Sequence, residues 1–203
     1  MDEQKYVKDV YEKIAPHFDS VRHGSKWVWI EEFLDQYSDS DLVCDLGCGS
    51  GRNMRSNCIG VDNCDSFINI CQKKGFNVIL GDMTKIPLND NHVEAIISIA
   101  AFHHLSLPER RLQALKEMKR ILKPGGQLLL SVWSFKQPEK TKRKFEYYAD
   151  NLVSWNKHGQ IYQRYYYIFR IKEITDLFEL AGLKLIKHEW DYGNEIFTLI
   201  KDS

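Results

Sequence analysis

The chain has no apolar run approaching the roughly 20 residues needed to cross a bilayer, and its first residues, Met1-Asp2-Glu3-Gln4-Lys5, lack the apolar core of a secretory leader. The expectation is a protein of the cytosol or nucleus with no membrane partner. Cysteines are few and clustered. Cys44, Cys48, Cys58, Cys64 and Cys71 form no C-x-x-C pair, and none follows Cys71. An odd count in a leaderless chain points to reduced thiols. Structural zinc sites use closely paired ligands, so no metal is expected. Net charge is also missing, with 28 lysines and arginines against 28 acids. There is no internal repeat and no low-complexity tract.

The neutral average hides an asymmetry. Residues 1–109 carry a net −7, residues 110–172 a net +11 and residues 173–203 a net −4. A basic segment inside a neutral protein is either a solvated face or a polyanion contact. The length of 203 residues fits one domain, 1–203, with room for an insertion.

Hydrophobic spacing orders the chain. Val7, Val10, Tyr11 and Ile14 predict an N-terminal amphipathic helix ending before Pro16. Trp27 to Leu34 predicts a second helix. Strands are predicted at Leu42–Leu46, Cys58–Asp62, Asn77–Leu80, Ala95–Ala100 and Gln127–Trp133. A helix from Ser66 to Lys74 is capped by Asp65 or Ser66 and stopped by Gly75. Another begins at a Ser106/Glu109 capping box and ends at Pro124-Gly125-Gly126. Residues 134–164 break the rhythm as a basic, aromatic insertion. Lys172 to Ala181 is a helix stopped by Gly182, followed by strands Leu183–Trp190 and Ile196–Ile200. Strands alternating with helices imply an α/β fold with a mostly parallel sheet and helices on both faces.

A glycine turn, Asp45-Leu46-Gly47-Cys48-Gly49-Ser50-Gly51, follows the first strand. A dinucleotide fingerprint is G-x-G-x-x-G with an acid about 20 residues on. Here the pattern is G-x-G-x-G led by an acid, and the next strand-end acid, Asp62, follows too soon. A dehydrogenase is the weaker reading. The turn resembles motif I of class I methyltransferases, which implies a seven-stranded Rossmann-like sheet and S-adenosylmethionine as cofactor. On that resemblance, Gly47, Gly49 and Gly51 pack on the methionine part, Asp62 accepts the ribose hydroxyls, and Asp82 with the Met83 backbone reads the adenine edge. Asp45 orients the turn or meets the ammonium, and Ala100 closes the fourth strand beside the cofactor.

The absent cysteine after Cys71 now excludes attack on a pyrimidine ring. The Asn/Asp-Pro-Pro-aromatic turn of many exocyclic-amine methyltransferases is also missing. In its place stands Ile97-Ser98-Ile99-Ala100-Ala101-Phe102-His103-His104. This segment, Glu109-Arg110-Arg111, Lys123-Pro124-Gly125-Gly126, Val132-Trp133, Arg164-Tyr165-Tyr166-Tyr167-Ile168-Phe169 and the run His17-Phe18 through Arg22 together resemble the eukaryotic tRNA wobble-uridine carboxymethyl methyltransferases. Tyr167 stands where that family usually has histidine, and the stretch from Gly51 to Ile59 leaves room for one helical turn at most. The resemblance implies esterification of 5-carboxymethyluridine in the tRNA anticodon stem-loop. Arg22 and Arg164 become candidates for anion or phosphate contacts, His103 and His104 for positioning the acceptor, and Tyr165 and Tyr166 for stacking on a base. It also implies a heterodimer with a small zinc-binding activator subunit. The candidate docking edge is Phe76–Leu80, a predicted edge strand without charge or proline. A small-molecule methyltransferase and a non-catalytic subunit of the same fold remain the alternatives.

Overall fold

A computed structural model describes residues 1–21, 27–141 and 144–202. The elements, in order, are a π-helical turn Gln4–Lys8, α1 (Asp9–Val21), α2 (Val28–Leu34), β1 (Val43–Leu46), β2 (Cys58–Asp62), α3 (Asp65–Lys73), β3 (Val78–Leu80) and β4 (Val93–Ile99). A 3-10 turn Phe102–His104, α4 (Pro108–Ile121), β5 (Leu122–Trp133), β6 (Ala149–Lys157), β7 (Gln160–Ile168), α5 (Ile171–Ala181), β8 (Lys184–Asp191) and β9 (Asn194–Ile200) follow. Seven strands form one sheet in the order β3-β2-β1-β4-β5-β9-β8, parallel except that β9 runs antiparallel to both neighbours.

The central strands are apolar on both sides, as helices on both faces of a parallel sheet require. Alternation divides their side chains. Cys44, Leu46, Ile96, Leu128 and Leu130 pack with Leu115 and Met118 of α4 and Ile174 and Phe178 of α5. Val43, Ala95, Ile97 and Leu129 pack with Ile30, Phe33 and Leu34 of α2. Burying such a leucine or phenylalanine contributes about 1.5–3 kcal/mol, so these two layers fix which strand ends open together.

Several local expectations are corrected. Pro16 lies inside α1 rather than after it. Lacking an N–H, it leaves the Glu12 carbonyl without its usual helical donor, and the Ser66 hydroxyl donates there instead at 3.3 Å. Neither Asp65 nor Ser66 caps α3; Cys64 holds the N-cap position without a side-chain bond. The Glu12 carboxylate takes that task, accepting the Asp65 and Ser66 backbone N–H groups at 2.7 and 3.0 Å. No Ser106/Glu109 capping box forms. Leu107 is the N-cap of α4, and the Ser106 hydroxyl donates to the Met1 carbonyl and lies 2.9 Å from a Glu3 carboxylate oxygen. Between Gly51 and Cys58 the chain makes turns and no helix. The irregular stretch expected at 134–164 instead feeds an antiparallel hairpin, β6 and β7, which forms its own two-stranded sheet.

The hairpin is held from below. Buried Arg111 donates to the carbonyls of Leu105 and Ser106 at 2.9 Å each and reaches the Tyr165 hydroxyl at 3.4 Å. Tyr165 in turn donates to Asp150 at 2.7 Å. The Arg111 guanidinium also sits 3.4 Å from the Tyr167 ring centroid. The Glu-Arg-Arg element thus splits, with Arg111 bracing the hairpin and Arg110 turning to the cleft described next.

Candidate active site and cofactor cleft

Open parallel sheets gather their ligands at the C-terminal ends of the strands. Here the ends of β1, β2, β3 and β4 deliver Gly47, Gly49, Asp62, Asp82, Met83 and Ala100 to the wall of one cleft of about 530 Å³. Gly47 shows why its turn needs glycine: φ is +77°, and a Cβ there would lie 2.4 Å from that of Ala101. Gly51 also has positive φ, at +82°, but a Cβ on it would meet Phe76. Its place is in the packing beneath the turn, not on the cleft wall. Asp45 is buried behind the turn and does not line the cleft.

Asp62 is pinned by two backbone donors, Gly49 N–H at 2.8 Å and Cys64 N–H at 2.9 Å, one on each carboxylate oxygen. Burial outweighs these bonds and pushes its carboxyl up to about 6. Each oxygen keeps a further lone pair, the arrangement a pair of ribose hydroxyls needs. Asp82 accepts the Thr84 N–H and hydroxyl at 2.7 Å on one oxygen and Arg110 at 2.8 Å on the other. Burial opposes ionisation there, but Thr84 and Arg110 hold the group below the usual carboxylate range. Val61, Phe67, Leu80, Met83 and Leu105 supply apolar wall between these acids. The donor and acceptor set fits S-adenosylmethionine: a flat apolar slot with an acid at its end, a doubly accepting acid before it, and a glycine turn that leaves backbone exposed.

The N-terminal segment covers this cleft. Glu3, Gln4, Val7 and Tyr11 line it. Glu3 is fastened by the Ser106 N–H at 2.6 Å and by Arg110 Nε at 2.9 Å.

At the far end stand Tyr11, His104, Trp133, Tyr166, Trp27, Trp29 and Asn194. The two histidines part here. His103 is fully buried, and its Nδ1 accepts the Trp133 N–H at 3.0 Å; it fastens the turn to β5 and does not face the cleft. His104 does face it. Its Nδ1 lies 2.6 Å from the Tyr165 carbonyl, which can only accept, so Nδ1 carries the proton. Burial holds the imidazole down to about 3, so the ring is neutral and Nε2 is an acceptor. The Tyr11 hydroxyl, 3.1 Å away, therefore donates to Nε2, and the Tyr166 hydroxyl, 3.2 Å from Tyr11, donates to Tyr11. Tyr166 stacks on Trp133 with centroids 3.9 Å apart and planes 7° from parallel.

Tyr165, expected to stack on a base, has its ring buried and its hydroxyl held by Asp150 and Arg111. The β alternation puts it on the opposite face of the hairpin from Arg164 and Tyr166. Arg164 is buried too, 4 % exposed, behind Tyr166 and against the Trp155 ring. Arg22 lies outside the described residues. Tyr11 and Arg110 were not read as site residues from the sequence. Tyr11 belongs to an amphipathic helical pattern that also describes a plain core face, and Arg110 looks like any first-turn helix residue. The Glu3–Arg110–Asp82 chain spans too many residues for any local signal.

Residues 44–130 match the family described as a methyltransferase domain. The tRNA (carboxymethyluridine(34)-5-O)-methyltransferase of Schizosaccharomyces pombe is 33% identical over 217 residues, covering 95% of this chain and 94% of that protein. The tRNA (carboxymethyluridine(34)-5-O)-methyltransferase ALKBH8 of Mus musculus is 40% identical over 145 residues, 70% of this chain. The chain spans 22% of the length of that mouse protein, and 34% of the Bos taurus protein named "Probable tRNA methyltransferase 9B". Among solved structures, a Haloferax volcanii complex of the Trm112 methyltransferase activator with a methyltransferase aligns with TM-score 0.69 at 20% identity, covering 97% of this chain and 98% of that one. A SAM-dependent methyltransferase from Methanosarcina mazei aligns with TM-score 0.68 at 17% identity, covering 88% and 99%. The likeness to these structures establishes the class I methyltransferase fold, and the near full-length match to the fission-yeast protein establishes the narrower kinship: the chain belongs to the tRNA (carboxymethyluridine(34)-5-O)-methyltransferase family.

Proposed function

We propose that the chain transfers the methyl group of S-adenosylmethionine to the carboxylate of 5-carboxymethyluridine at the wobble position of tRNA, forming the methyl ester. The observation that carries this reading is the near full-length likeness to the fission-yeast enzyme of that name, joined to a cleft whose described residues offer acceptor-positioning groups but no free base. A carboxylate with a pKa near 4 is already ionised at neutral pH. It needs alignment and neutralisation, not deprotonation. His104, held neutral with Nε2 occupied by Tyr11, suits positioning rather than proton removal. When bound, the cofactor supplies an electrophilic methyl carbon. Asp62 would hold its ribose, Asp82 and the Met83 backbone would face its adenine edge, and the turn at Gly47 and Gly49 would receive its methionine end. The stacked Trp133–Tyr166 pair gives the uridine a flat wall.

The tRNA itself needs a larger surface. The hairpin β6–β7 and the basic segment before it, with Lys140 and Lys144, supply cations beside exposed Tyr147, Leu152 and Ile161. Two further cations of that segment, Lys142 and Arg143, lie outside the described residues. The insertion 134–164 is in this reading the anticodon-facing part of the single domain. A small zinc-binding activator adds to the β3 edge, and the heterodimer works in the cytoplasm or nucleus. In support, β3 ends the sheet, and a structural neighbour comes from a complex with a methyltransferase activator.

The test is direct. The protein, alone and with the activator, is incubated with methyl-labelled S-adenosylmethionine and tRNA lacking the ester, and the nucleosides are resolved. The expected product is a labelled wobble uridine whose label is released by mild alkali, as an ester requires. Alkali-stable label, or label only on a small carboxylic acid, overturns the assignment.

A further inference from the structure

The hairpin that closes the sheet turns on a tyrosine. β8 and β9 pair as far as Asp191 and Asn194, so Tyr192 and Gly193 alone make the turn, and both have positive φ, 43° and 84°. Turns of this kind favour Asn-Gly, because a residue with a bulky ring is strained in the left-handed region. The strained turn is held from the end of β5: the Gly193 carbonyl accepts the Ser134 N–H and the Gln137 Nε2, each at 2.9 Å. The ring gains little shelter in return, for Tyr192 is 51 % exposed. A strained backbone that the surroundings enforce, with its side chain left in water, points to a ligand for that side chain.

The position of Tyr192 says which ligand. Register pairs Asn194 with Trp133, and both line the cleft at the end where the stacked Trp133–Tyr166 pair stands. Two residues before Asn194, the Tyr192 ring lies 6.1 Å from that of half-buried Trp27, which lines the same cleft. Their planes are tilted by 47°, an open wedge rather than a closed stack. Packing on the α2 core accounts for Trp27 and for Trp29 beside it, but not for Tyr192. At the end of β8 the Lys136 ammonium lies 5.0 Å from the Trp190 ring centroid, and the Trp190 Nε1–H donates to the Lys136 carbonyl at 3.1 Å. Aromatic faces with a cation close by are what single-stranded RNA stacks on. A nucleotide seated against Trp133 and Tyr166 brings its chain neighbours to this rim.

We propose that Tyr192, together with Trp27, is a stacking platform for the base next to the wobble uridine in the tRNA loop, and so sets how the RNA strand leaves the cleft. This rests on the proposed reaction for the identity of the RNA. It assigns to Tyr192 a contact with substrate away from the reacting atoms, and it explains why the turn carries a tyrosine where asparagine would be relaxed.

The experiment separates the platform from the reaction. The whole chain, saturated with S-adenosylhomocysteine, is titrated into a fluorescent stem-loop RNA whose loop carries 5-carboxymethyluridine. The RNA is used intact, abasic on the 5′ side of the modified uridine, or abasic on its 3′ side. One of the two abasic RNAs should bind about tenfold more weakly than the intact one, the loss of one stacked base, and which one it is gives the direction of the strand. Tyr192→Asn should bind the intact RNA about tenfold more weakly and no longer distinguish that abasic form. Its Tm should be no lower than that of the unaltered chain, because asparagine relaxes the turn, and its affinity for S-adenosylhomocysteine should stay within about twofold. Tyr192→Phe should keep the discrimination. Equal binding of the three RNAs by the unaltered chain overturns the proposal without any variant, and so does a Tyr192→Asn chain that still distinguishes them. Methylation of the same RNAs judges the reaction separately. Ester formed on all three at equal KM removes the platform and leaves the reaction standing, whereas RNA that binds with the stacking penalty but is never methylated removes the reaction and leaves the platform. An unaltered chain that binds none of the three overturns both.

Discussion

Ser66 gives both its backbone N–H and its hydroxyl to Glu12, the first to the carboxylate at 3.0 Å and the second to the carbonyl at 3.3 Å. One residue of α1 thus caps α3, and α3 in turn answers the carbonyl that Pro16 leaves bare. Burial works against the Glu12 charge, but the bonds from Ser66 and Asp65 hold the carboxyl below its usual range. The same helix α1 carries Tyr11 into the cleft. Losing a helix N-cap typically costs about 1 kcal/mol, and this carboxylate serves two N–H groups. Glu12→Ala is expected to destabilise the protein by about 1–2 kcal/mol, a fall of roughly 2–4 °C in Tm per kcal/mol. Glu12→Gln, which keeps an acceptor, should lose less. Thermal denaturation of the three proteins decides it; equal melting of Glu12→Ala and the unaltered chain would remove the cap from the account.

The sheet was legible because its signals are local. The apolar runs at Val43–Leu46 and Cys58–Asp62, the glycine turn between them and the strand-end acids each occupy a few consecutive residues, and each delivers a group to one edge of the sheet. The caps were not legible, because the partner of an α3 N–H is Glu12, 53 residues away. Ser106 had the spacing of a capping box, yet its hydroxyl serves the N-terminal segment, a tertiary contact that overrides the local option. The hairpin was missed for a different reason. In β6 and β7 polar residues such as Asn151, Ser154, Asn156 and Gln163 are interspersed with aliphatic and aromatic ones, and that mixture reads equally well as a polar loop until Arg111 and Asp150 are seen to anchor Tyr165. The His-His pair shows the limit of motif reading: a 3-10 turn sends adjacent side chains to different places, His103 into the core and His104 to the cleft.

Asp62 makes cofactor binding depend on pH. Its carboxyl titrates near 6 in the folded chain against 3.8 unfolded. Between those values the native chain holds more protons, so this group's contribution to the stability of the cofactor-free protein falls as pH rises from 4 to 6. Cofactor affinity runs the other way, since ribose hydroxyls donate to the ionised form. Binding should therefore release a proton near pH 6, and affinity should be about tenfold weaker at pH 5 than at pH 7, the consequence of a one-proton step centred near 6. Calorimetry in buffers of different ionisation heat measures both. Asp62→Asn should abolish the pH dependence and weaken binding by roughly 1.5–3 kcal/mol. A proton count of zero at pH 6 in the unaltered protein would sink the assignment of Asp62 to the ribose.

His104 predicts the opposite slope in stability. Burial depresses its folded pKa to about 3 from an ordinary 6.5. The unfolded chain takes a proton as pH falls below 6.5 and the native chain does not, so this contribution is present above 6.5 and is lost progressively toward pH 3. The slope for one proton is at most about 1.4 kcal/mol per pH unit. His104→Asn should flatten the loss of stability between pH 6.5 and 4, measured by urea denaturation, even though it breaks the bond to Tyr11. The methyl-transfer rate at saturating substrates should show no inflection near 6.5, because the ring is neutral on both sides. A bell or step in kcat at that pH that disappears in His104→Asn would give this residue a proton-transfer role and overturn its reading as a fixed acceptor.

The β3 edge carries the last prediction. β3 is three residues long, pairs only with β2 in the seven-stranded sheet, and presents Leu80 at 47 % exposure with Val78 and Ile79 partly open. Soluble proteins blunt such an edge with charge, proline or a cover, and none of the three residues is charged or proline. Addition of a strand from a second chain would satisfy the free backbone groups and cover Leu80 and Ile79. Phe76 is a less suitable handle than its place in the sequence implies. Its ring fills the space beside Gly51, so a charge there would disturb the glycine turn as well as the edge. Ile79→Glu is the cleaner variant for the outward-facing surface, although Ile79 also touches the core cluster on its inner side. Leu80→Lys, at a more exposed position, controls for that, with cofactor affinity measured alongside because Leu80 also lines the cofactor cleft. Both should lower the yield of heterodimer on co-expression with the activator by at least tenfold, whereas Leu185→Lys on the opposite edge strand β8 should not. Heterodimer recovered equally from all three by size-exclusion chromatography would place the partner elsewhere on the molecule.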